Sequence, residues 1–336
     1  MSLLLFMTIL LFTPPQWTLQ TSGVTARLRG VSAVNARVAW ASGSAGTVLR
    51  TADGGATWQK LAVTTDAVDF RDIDAIDART AYVLSIGNGP ASRIYKTDDA
   101  GVTWTLQFKN EDPKAFYDAM SFWDATHGIV IGDSIDGKFC ILTTENGGKS
   151  WVRVTESALP PALPNEGAFA ASGTNIAVSG KSYAWIGLGA ATKARVLYTR
   201  NRGRTWKVAE TPLAAGASAG IFSVAFRDAK HGVIVGGDYT KEKDAVNNLA
   251  ITDDGGATWK LVKGLNGFRS VVAYVPGMKT ALVAIGPSGS DYSVDDGRTW
   301  TQLAGPGFDT LSFVHGRPVA WAAGARGSLG RLLFAP

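Results

Sequence analysis

The sequence predicts an all-β protein, a single seven-bladed β-propeller whose blades are four-stranded antiparallel sheets. Three observations lead to this fold class: a turn motif that recurs six times, a spacing between its copies that leaves room for four strands, and strand-like segments at both ends of the chain. The composition agrees, because 39 glycines and 11 tryptophans among 336 residues suit many short strands joined by tight turns.

The turn motif has the pattern Ser/Thr-x-Asp/Asn-x-Gly-x-Thr/Ser-Trp, and its successive tryptophans are 46, 47, 55, 53 and 41 residues apart. Its Asp or Asn side chain accepts hydrogen bonds from its own turn, its glycine supplies a positive φ, and its tryptophan buries a large ring. We therefore expect hairpin turns that serve folding rather than metal ligands or catalytic acids. The motif residues are Asp53, Asp99, Asn146, Asn201, Asp254 and Asp295, with Trp58, Trp104, Trp151, Trp206, Trp259 and Trp300.

Each repeat accommodates four short strands, as the second one illustrates with segments at 70–76, 81–86, 93–96 and 103–108. Four strands at this period describe a propeller blade. Three strand-like segments follow the sixth motif without a motif of their own. The missing outer strand is predicted at residues 16–20, so that the two chain ends together build blade 7 and hide its edges.

The N-terminus carries an apolar run at residues 3–12, LLLFMTILLF. This run has the length of a signal-peptide core and is too short for a transmembrane helix, which needs about 20 residues. We expect residues 1–15 to be a signal peptide and residues 16–336 to be the propeller of a periplasmic or secreted protein, with no transmembrane segment in the mature chain. The alternative is a buried strand or helix, since no Lys or Arg precedes the run and no Ala-x-Ala site follows it.

Composition also excludes several classes of protein. The chain is 46% hydrophobic, which is too apolar for a disordered protein. The single cysteine, Cys140, excludes an internal disulfide framework and a multi-cysteine zinc site. The net charge of +5 is spread out without a basic run, so no nucleic-acid partner is expected. No phosphate-binding loop or dinucleotide fingerprint occurs, and we predict neither cofactor nor metal.

Beyond the fold, the sequence resembles a known family. The six motifs resemble the BNR or Asp-box repeat that sialidases share with several other propellers. The phrases at 28–32, 39–43, 132–139 and 165–171 resemble the bacterial relatives of the photosystem II stability/assembly-factor family, over essentially all of the mature chain. The resemblance implies an exported, non-catalytic propeller that assists assembly of membrane protein complexes. Its implied partner is a protein, such as a membrane-complex subunit.

A binding site is predicted at one mouth of the central channel, where the innermost strands of the blades converge. The second residue of each innermost strand gives a ring of side chains. Arginines in such a ring offer bidentate geometry to the carboxylates of an anionic group or an acidic protein. The alternative is a set of solvated or mutually paired charges. The ring consists of Arg29, Arg71, Asp118, Thr174, Phe222, Arg269 and Asp309.

Enlarged loops lie on the same predicted face, because the loops that enter strand one and leave strand two share it. The insertion at 155–172 contains Glu166, and the insertion at 238–248 contains Asp238 and Tyr239. Loops enlarged on one face of a rigid scaffold are typical of binding, although a charged insertion can also be merely solvated. Together with Asp133, which also leaves a second strand, these residues complete the candidate binding site.

Two functions follow from this site. The first is a monomeric, non-catalytic propeller that binds a protein partner and assists assembly or stability of a membrane-associated complex. The second is a sialidase-like glycoside hydrolase acting on an anionic or complex glycan, with a Tyr nucleophile paired to Glu. The sequence departs from sialidases, since no Arg-Ile-Pro phrase occurs near blade 1. The residues for the second function are Arg29, Arg71 and Arg269 for the substrate carboxylate, with Tyr239, Glu166 and Asp133 for the chemistry.

Overall fold

The computed structural model describes residues 14–334, and in this range 28 strands form seven four-stranded antiparallel sheets arranged as the blades of a propeller. The predicted fold class is confirmed. The apolar run at 3–12, on which the predicted signal peptide depends, lies outside the described residues. Within the described range no helix has the length and apolar character needed to cross a membrane. The short 3₁₀ helices of the described range are Gly89–Ala91, Glu156–Ala158 and Ala325–Gly327.

Each of the first three blades is built from consecutive strands, the first being innermost. The chain starts with β1 (Gln16–Gln20). Blade 1 contains β2 (Leu28–Ala33), β3 (Ala39–Gly43), β4 (Thr47–Thr51) and β5 (Gln59–Leu61). Blade 2 contains β6 (Asp69–Ala75), β7 (Ala81–Ile86), β8 (Arg93–Thr97) and β9 (Thr105–Lys109). Blade 3 contains β10 (Tyr117–Phe122), β11 (Gly128–Ile135), β12 (Lys138–Thr144) and β13 (Val152–Arg153).

The remaining blades follow the same plan. Blade 4 contains β14 (Ile176–Ser179), β15 (Tyr183–Gly187), β16 (Arg195–Thr199) and β17 (Lys207–Glu210). Blade 5 contains β18 (Ala219–Phe226), β19 (Gly232–Asp238), β20 (Leu249–Thr252) and β21 (Lys260–Leu261). Blade 6 contains β22 (Val271–Tyr274), β23 (Leu282–Gly286), β24 (Gly289–Ser293) and β25 (Thr301–Leu303). Blade 7 contains β26 (Thr310–Phe313), β27 (Val319–Ala323), β28 (Leu329–Leu333) and β1.

Blade 7 closes the ring as the sequence predicts. Strand β1 pairs antiparallel with β28, in a register that runs from Gln16 opposite Leu333 to Gln20 opposite Leu329. The Trp17 ring packs on Phe308 with ring centroids 4.7 Å apart. Joining the chain ends in one sheet pairs the outer edge of β28 with β1 and so closes the ring.

The six turn motifs adopt one hydrogen-bonded turn. In every copy the leading Ser or Thr hydroxyl donates to the Asp or Asn side chain. The same hydroxyl accepts the N–H of the motif glycine, and all six glycines have φ between 76° and 89°. In the fifth copy, Asp254 also accepts the N–H and the hydroxyl of Thr258, at 2.9 and 2.6 Å. These bonds fix the turn between the two outer strands.

We expect Asp254→Ala to lower the free energy of unfolding by about 1–2 kcal/mol, because the Thr252 hydroxyl and the N–H and hydroxyl of Thr258 lose a charged acceptor. Chemical denaturation of both proteins measures the difference. Asp253→Ala is the matched control, since its carboxylate only contacts Lys260 at 3.3 Å on the surface and is worth at most about 0.5–1 kcal/mol. Equal losses in the two variants would contradict a folding role for the motif carboxylate.

Neighbouring blades are joined near the channel by oxygen atoms on the innermost strands. The Asp72 carboxylate accepts the Met120 N–H of the next blade at 2.8 Å. In another pair of blades the Ser223 hydroxyl accepts the Val272 N–H at 3.0 Å. These bonds satisfy backbone donors on the inner edges of the blades that would otherwise be buried unpaired, and they align the innermost strands around the channel.

Candidate functional site

Four innermost strands carry a β-bulge at the channel mouth. The pairing register shifts between Leu28 and Gly30 in blade 1, and at equivalent places in blades 2, 3 and 5. A bulge leaves one residue unpaired and re-aims its side chain. In each case that residue is one that the sequence assigned to the ring. The four bulged residues are Arg29, Arg71, Asp118 and Phe222.

The mouth is covered by residues 167–173, which we call the mouth segment. It lies at the end of the insertion before blade 4, yet it bonds to blades on the other side of the channel. Arg71 Nη1 donates to the Ala170 carbonyl at 3.1 Å, and Arg29 Nη1 lies 3.4 Å from the Ala171 carbonyl. The Thr310 hydroxyl of blade 7 donates to the Ser172 carbonyl at 3.0 Å. The enlarged loop therefore crosses the mouth instead of standing out from the face.

Only small residues fit where the mouth segment passes the inner strands. A Cβ atom at Gly173 would lie 2.1 Å from Asp72 Oδ1, and one at Gly167 would lie 1.9 Å from Asp133 Oδ1. Gly173 also has a φ of 76°, which disfavours other residues. The run of glycine and alanine in this part of the insertion thus lets the backbone approach two carboxylates closely.

Carboxylates hold the amide side of the mouth segment. Asp118 accepts the backbone N–H of Ala170, and Asp133 accepts that of Ala168. Burial raises the pKa of Asp133 to about 6, and burial together with the nearby Asp133 raises the pKa of Asp118 well above its ordinary value. Asp118 is only 2% exposed. The prediction that Asp118 meets a ligand at the mouth is therefore wrong, because the segment covers it.

Arginines hold the carbonyl side and remain partly exposed. Arg29 forms no ion pair with any described residue, and its Nε is buried without a hydrogen-bond partner. Burial lowers the pKa of Arg29 to about 10, and the charges of Arg27 and Arg71 push it in the same direction against the carboxylate of Asp309. Arg71 contacts Asp69 at 3.1 Å and keeps a side-chain exposure of 23%. We call Arg29 and Arg71 the mouth arginines.

Arg269 does not join the mouth arginines. Between blades 2 and 3, Asp72, the residue after the ring residue Arg71, bonds to Met120, which lies two positions after the ring residue Asp118. Between blades 5 and 6, Ser223, the residue after the ring residue Phe222, makes the equivalent bond to Val272, which lies two positions after Ser270. Ser270 is therefore level with Asp118, and the predicted ring was one residue out in blade 6. The Arg269 side chain is 1% exposed and forms an ion pair with Asp291 at 2.6 Å, so its assignment to ligand binding is wrong.

The other ring positions are also used within the protein. Asp309 is 2% exposed and accepts a bidentate contact from Arg27, with both N–O distances 2.8 Å. The Thr174 hydroxyl donates to Ser223 Oγ at 2.8 Å. The alternative of mutually paired charges thus describes Asp309, whose assignment as a binding residue is wrong because its carboxylate is fully engaged.

Glu166 anchors the insertion rather than facing a ligand. It is 1% exposed, and its carboxylate accepts Arg195 Nε at 2.7 Å and the Leu163 N–H at 2.8 Å. Assigning Glu166 to the binding face is therefore wrong, as is the Glu166–Tyr239 pair that a sialidase-like site needs. Asp238 caps its own turn, where the Thr240 hydroxyl donates to it at 2.7 Å and lowers the pKa of Asp238.

An aromatic cluster that the sequence did not predict borders the mouth segment. The Phe169 ring stacks on Phe222, with centroids 4.0 Å apart and planes 7° apart. Tyr239 meets both rings nearly edge-on at 6.1 Å, and Phe268 meets Phe222 at 4.6 Å. Tyr239 is 48% exposed. The mouth therefore has a cationic side and an aromatic side, separated by the mouth segment.

Comparison with known proteins identifies similar folds. No protein-family model matches the chain, and no curated protein matches it. The solved structure of YCF48 bound to a D1 peptide is similar at a TM-score of 0.68 and 18% identity, over 97% of this chain and 99% of that one. YCF48 from Cyanidioschyzon merolae is similar at 0.65 and 17% identity, over 94% and 98%. A GH74 xyloglucanase from Xanthomonas campestris is similar at 0.62 and 15% identity, over 94% of this chain and 53% of the enzyme.

Proposed function

We propose that this chain is an exported, non-catalytic propeller that binds an acidic group of a protein partner at the mouth arginines and assists assembly or stability of a membrane-associated complex. The proposal includes cleavage of residues 1–15 as a signal peptide and the assignment of the six turn motifs as Asp-box repeats. It takes up the resemblance to the photosystem II stability/assembly-factor family without requiring a photosynthetic host.

The observation that carries the proposal is the state of Arg29. A partly buried guanidinium without an ion pair among the described residues, and with its pKa lowered to about 10, has lost water without gaining a carboxylate. A carboxylate of a partner supplies what is missing, since it offers charge and two acceptors to the arginine fork. The adjacent, partly exposed Arg71 extends the same cationic surface.

The comparisons support this proposal at the level of architecture. YCF48 has a similar fold over nearly the whole length of both chains, and one of its solved structures contains a D1 peptide. A peptide ligand in a similar propeller makes a polypeptide the natural candidate here. The similar xyloglucanase, at 15% identity, bears on the fold alone. The sialidase-like alternative loses its Tyr–Glu pair, because the carboxylate of Glu166 is bound to Arg195 and not to Tyr239.

The test is cross-linking followed by affinity purification of the tagged protein from its own host. We expect the wild-type protein to capture a subunit of a membrane complex. The captured amount should fall about tenfold or more with Arg29→Ala/Arg71→Ala, because each of the two substitutions removes a charge-assisted contact. Mass spectrometry of the purified protein also gives its N-terminus, which is expected near Gln16.

Arg79→Ala serves as the control for loss of positive charge, since it lies in a loop of the opposite face, where it contacts the Asp98 carbonyl at 3.4 Å. Circular dichroism checks that all variants fold. Capture that is unchanged in the double variant, or that falls equally with Arg79→Ala, would argue against binding at the mouth. An N-terminus at Met1 would argue against the signal peptide.

A further inference from the structure

The aromatic side of the mouth has the features of a contact surface. Phe222 is 2% exposed, Phe169 is partly buried on top of it, and Tyr239 stands 48% exposed at their edge. A single exposed aromatic residue is ordinary on a protein surface. Here the exposed ring belongs to a packed cluster whose base is fixed, so it presents a rigid apolar face with little freedom to lose on binding.

The aromatic and cationic sides lie close enough for one short peptide. Phe169 belongs to the aromatic side, while the carbonyls of the next two residues, Ala170 and Ala171, reach Arg71 and Arg29. An extended chain advances about 3.3–3.6 Å per residue, so two residues cover about 7 Å. A ligand that touches both sides therefore needs its two contacting groups within about two residues of each other.

The mouth segment itself illustrates the chemistry that fits. Its backbone offers carbonyl oxygens to the two arginines, and its one large side chain, Phe169, stacks on Phe222. It leaves part of Arg71 and the outer edge of Tyr239 accessible. A partner chain lying over the segment meets the same pair of surfaces, cationic on one side and aromatic on the other.

We propose that Phe169, Phe222 and Tyr239 form a second subsite of the mouth, which receives an aromatic side chain of the partner located within two residues of the carboxylate held by the mouth arginines. The carboxylate half rests on the proposed function, and the aromatic half is added here. The ligand class is thus an acidic polypeptide segment that contains an aromatic residue beside its acidic one. Charge complementarity selects the acid, and edge-to-face contact with Tyr239 selects the ring.

Three blocked pentapeptides test this proposal by isothermal titration against the mature protein, residues 16–336. The first is acetyl-Gly-Phe-Gly-Asp-Gly-amide, the second has Ala in place of Phe, and the third has Asn in place of Asp. We expect the first to bind about five- to tenfold more tightly than the second, a ratio typical of an aromatic contact. Tyr239→Ala should reduce that ratio to about one, whereas Tyr239→Phe and the exposed control Val246→Ala should keep it.

The outcomes separate the two proposals. Equal binding of the Phe and Ala peptides, together with loss of both in Arg29→Ala/Arg71→Ala, overturns the aromatic subsite and leaves the arginine site standing. Equal binding of the Asp and Asn peptides overturns the arginine site. Absence of binding by every peptide at millimolar concentration overturns both. A Phe preference that survives Tyr239→Ala also overturns the subsite, because the exposed ring would then not be its source.

Discussion

Glu166→Ala should lower the free energy of unfolding by about 3–5 kcal/mol, among the largest effects expected of any single substitution in this protein. The variant leaves the guanidinium of Arg195, whose side chain is 9% exposed, without its carboxylate. It also removes the acceptor of the Leu163 N–H. An unpaired buried charge loses its hydration and gains nothing in return.

The same substitution should also disturb the mouth. Glu166 directly precedes the mouth segment, and it ties that end of the insertion to strand β16 through Arg195. Without this anchor, the carbonyls that orient Arg29 and Arg71 are held by fewer contacts. Urea denaturation measures the loss of stability. Titration with the Asp-containing peptide, at a temperature where the variant is folded, measures the weaker binding expected at the mouth arginines.

Blade 4 offers a matched control for this prediction. Glu210 forms an ion pair with Lys193 at 3.4 Å, and both side chains are more than half exposed. Glu210→Ala should therefore cost about 0–1 kcal/mol. A double replacement, Glu166→Met with Arg195→Met, should recover much of the loss, because it removes both buried charges. A loss below about 1 kcal/mol in Glu166→Ala alone would contradict the anchoring role.

The fold could be predicted from the sequence because its information is repeated. Six copies of one turn report the same local hydrogen bonds, and the spacing between them counts the strands. The outer strand of blade 7 was predictable in register, as Trp17 precedes Trp58 by the spacing of two motif tryptophans. A pattern that recurs in this way is insensitive to an error in any one blade.

The site was predictable only in part, because it depends on single-residue offsets. A β-bulge changes the facing of every later side chain by one position, and the sequence carries no strong mark of it. The predicted ring includes Arg29 and Arg71, which the structure places at the bulges, but in blade 6 it is one residue out. Arg269 therefore entered the predicted ring, where Ser270 takes that level in the structure.

The composition of the mouth segment is a sequence signal from which its inward course could have been predicted. Strand topology placed the insertion on the face of the mouth arginines, but its course across the channel mouth was not predicted. Residues 167–173, GAFAASG, contain no charge and only one large side chain. A solvent-exposed loop is commonly polar, whereas a run of small residues permits close backbone contact. Its inward course follows from that composition together with the carboxylates Asp118 and Asp133 that receive its amides.

Buried carboxylates give the protein an unusual dependence of stability on pH. Burial raises the pKa of Asp72 to about 7, against the hydrogen bonds from Met120 and Ile73 that favour its charged form. The folded state therefore binds a proton that the unfolded chain releases between about pH 4 and pH 7, and stability falls as the pH rises through this range. The turn motifs act at lower pH, since hydrogen bonds from Thr57 lower the pKa of Asp53 to about 2.

Asp72→Ser isolates this effect, because the chain already uses serine for the same bond. Ser223 accepts the Val272 N–H between blades 5 and 6 as Asp72 accepts the Met120 N–H between blades 2 and 3. Between about pH 4.5 and pH 8, the wild-type protein should lose about 3 kcal/mol more unfolding free energy than the variant, as one pKa unit corresponds to about 1.4 kcal/mol. Denaturation curves at both pH values measure it, and the range stays above the titration of the turn motifs. Parallel pH profiles for the two proteins, with or without a constant offset between them, would contradict a raised pKa of Asp72 in the folded state.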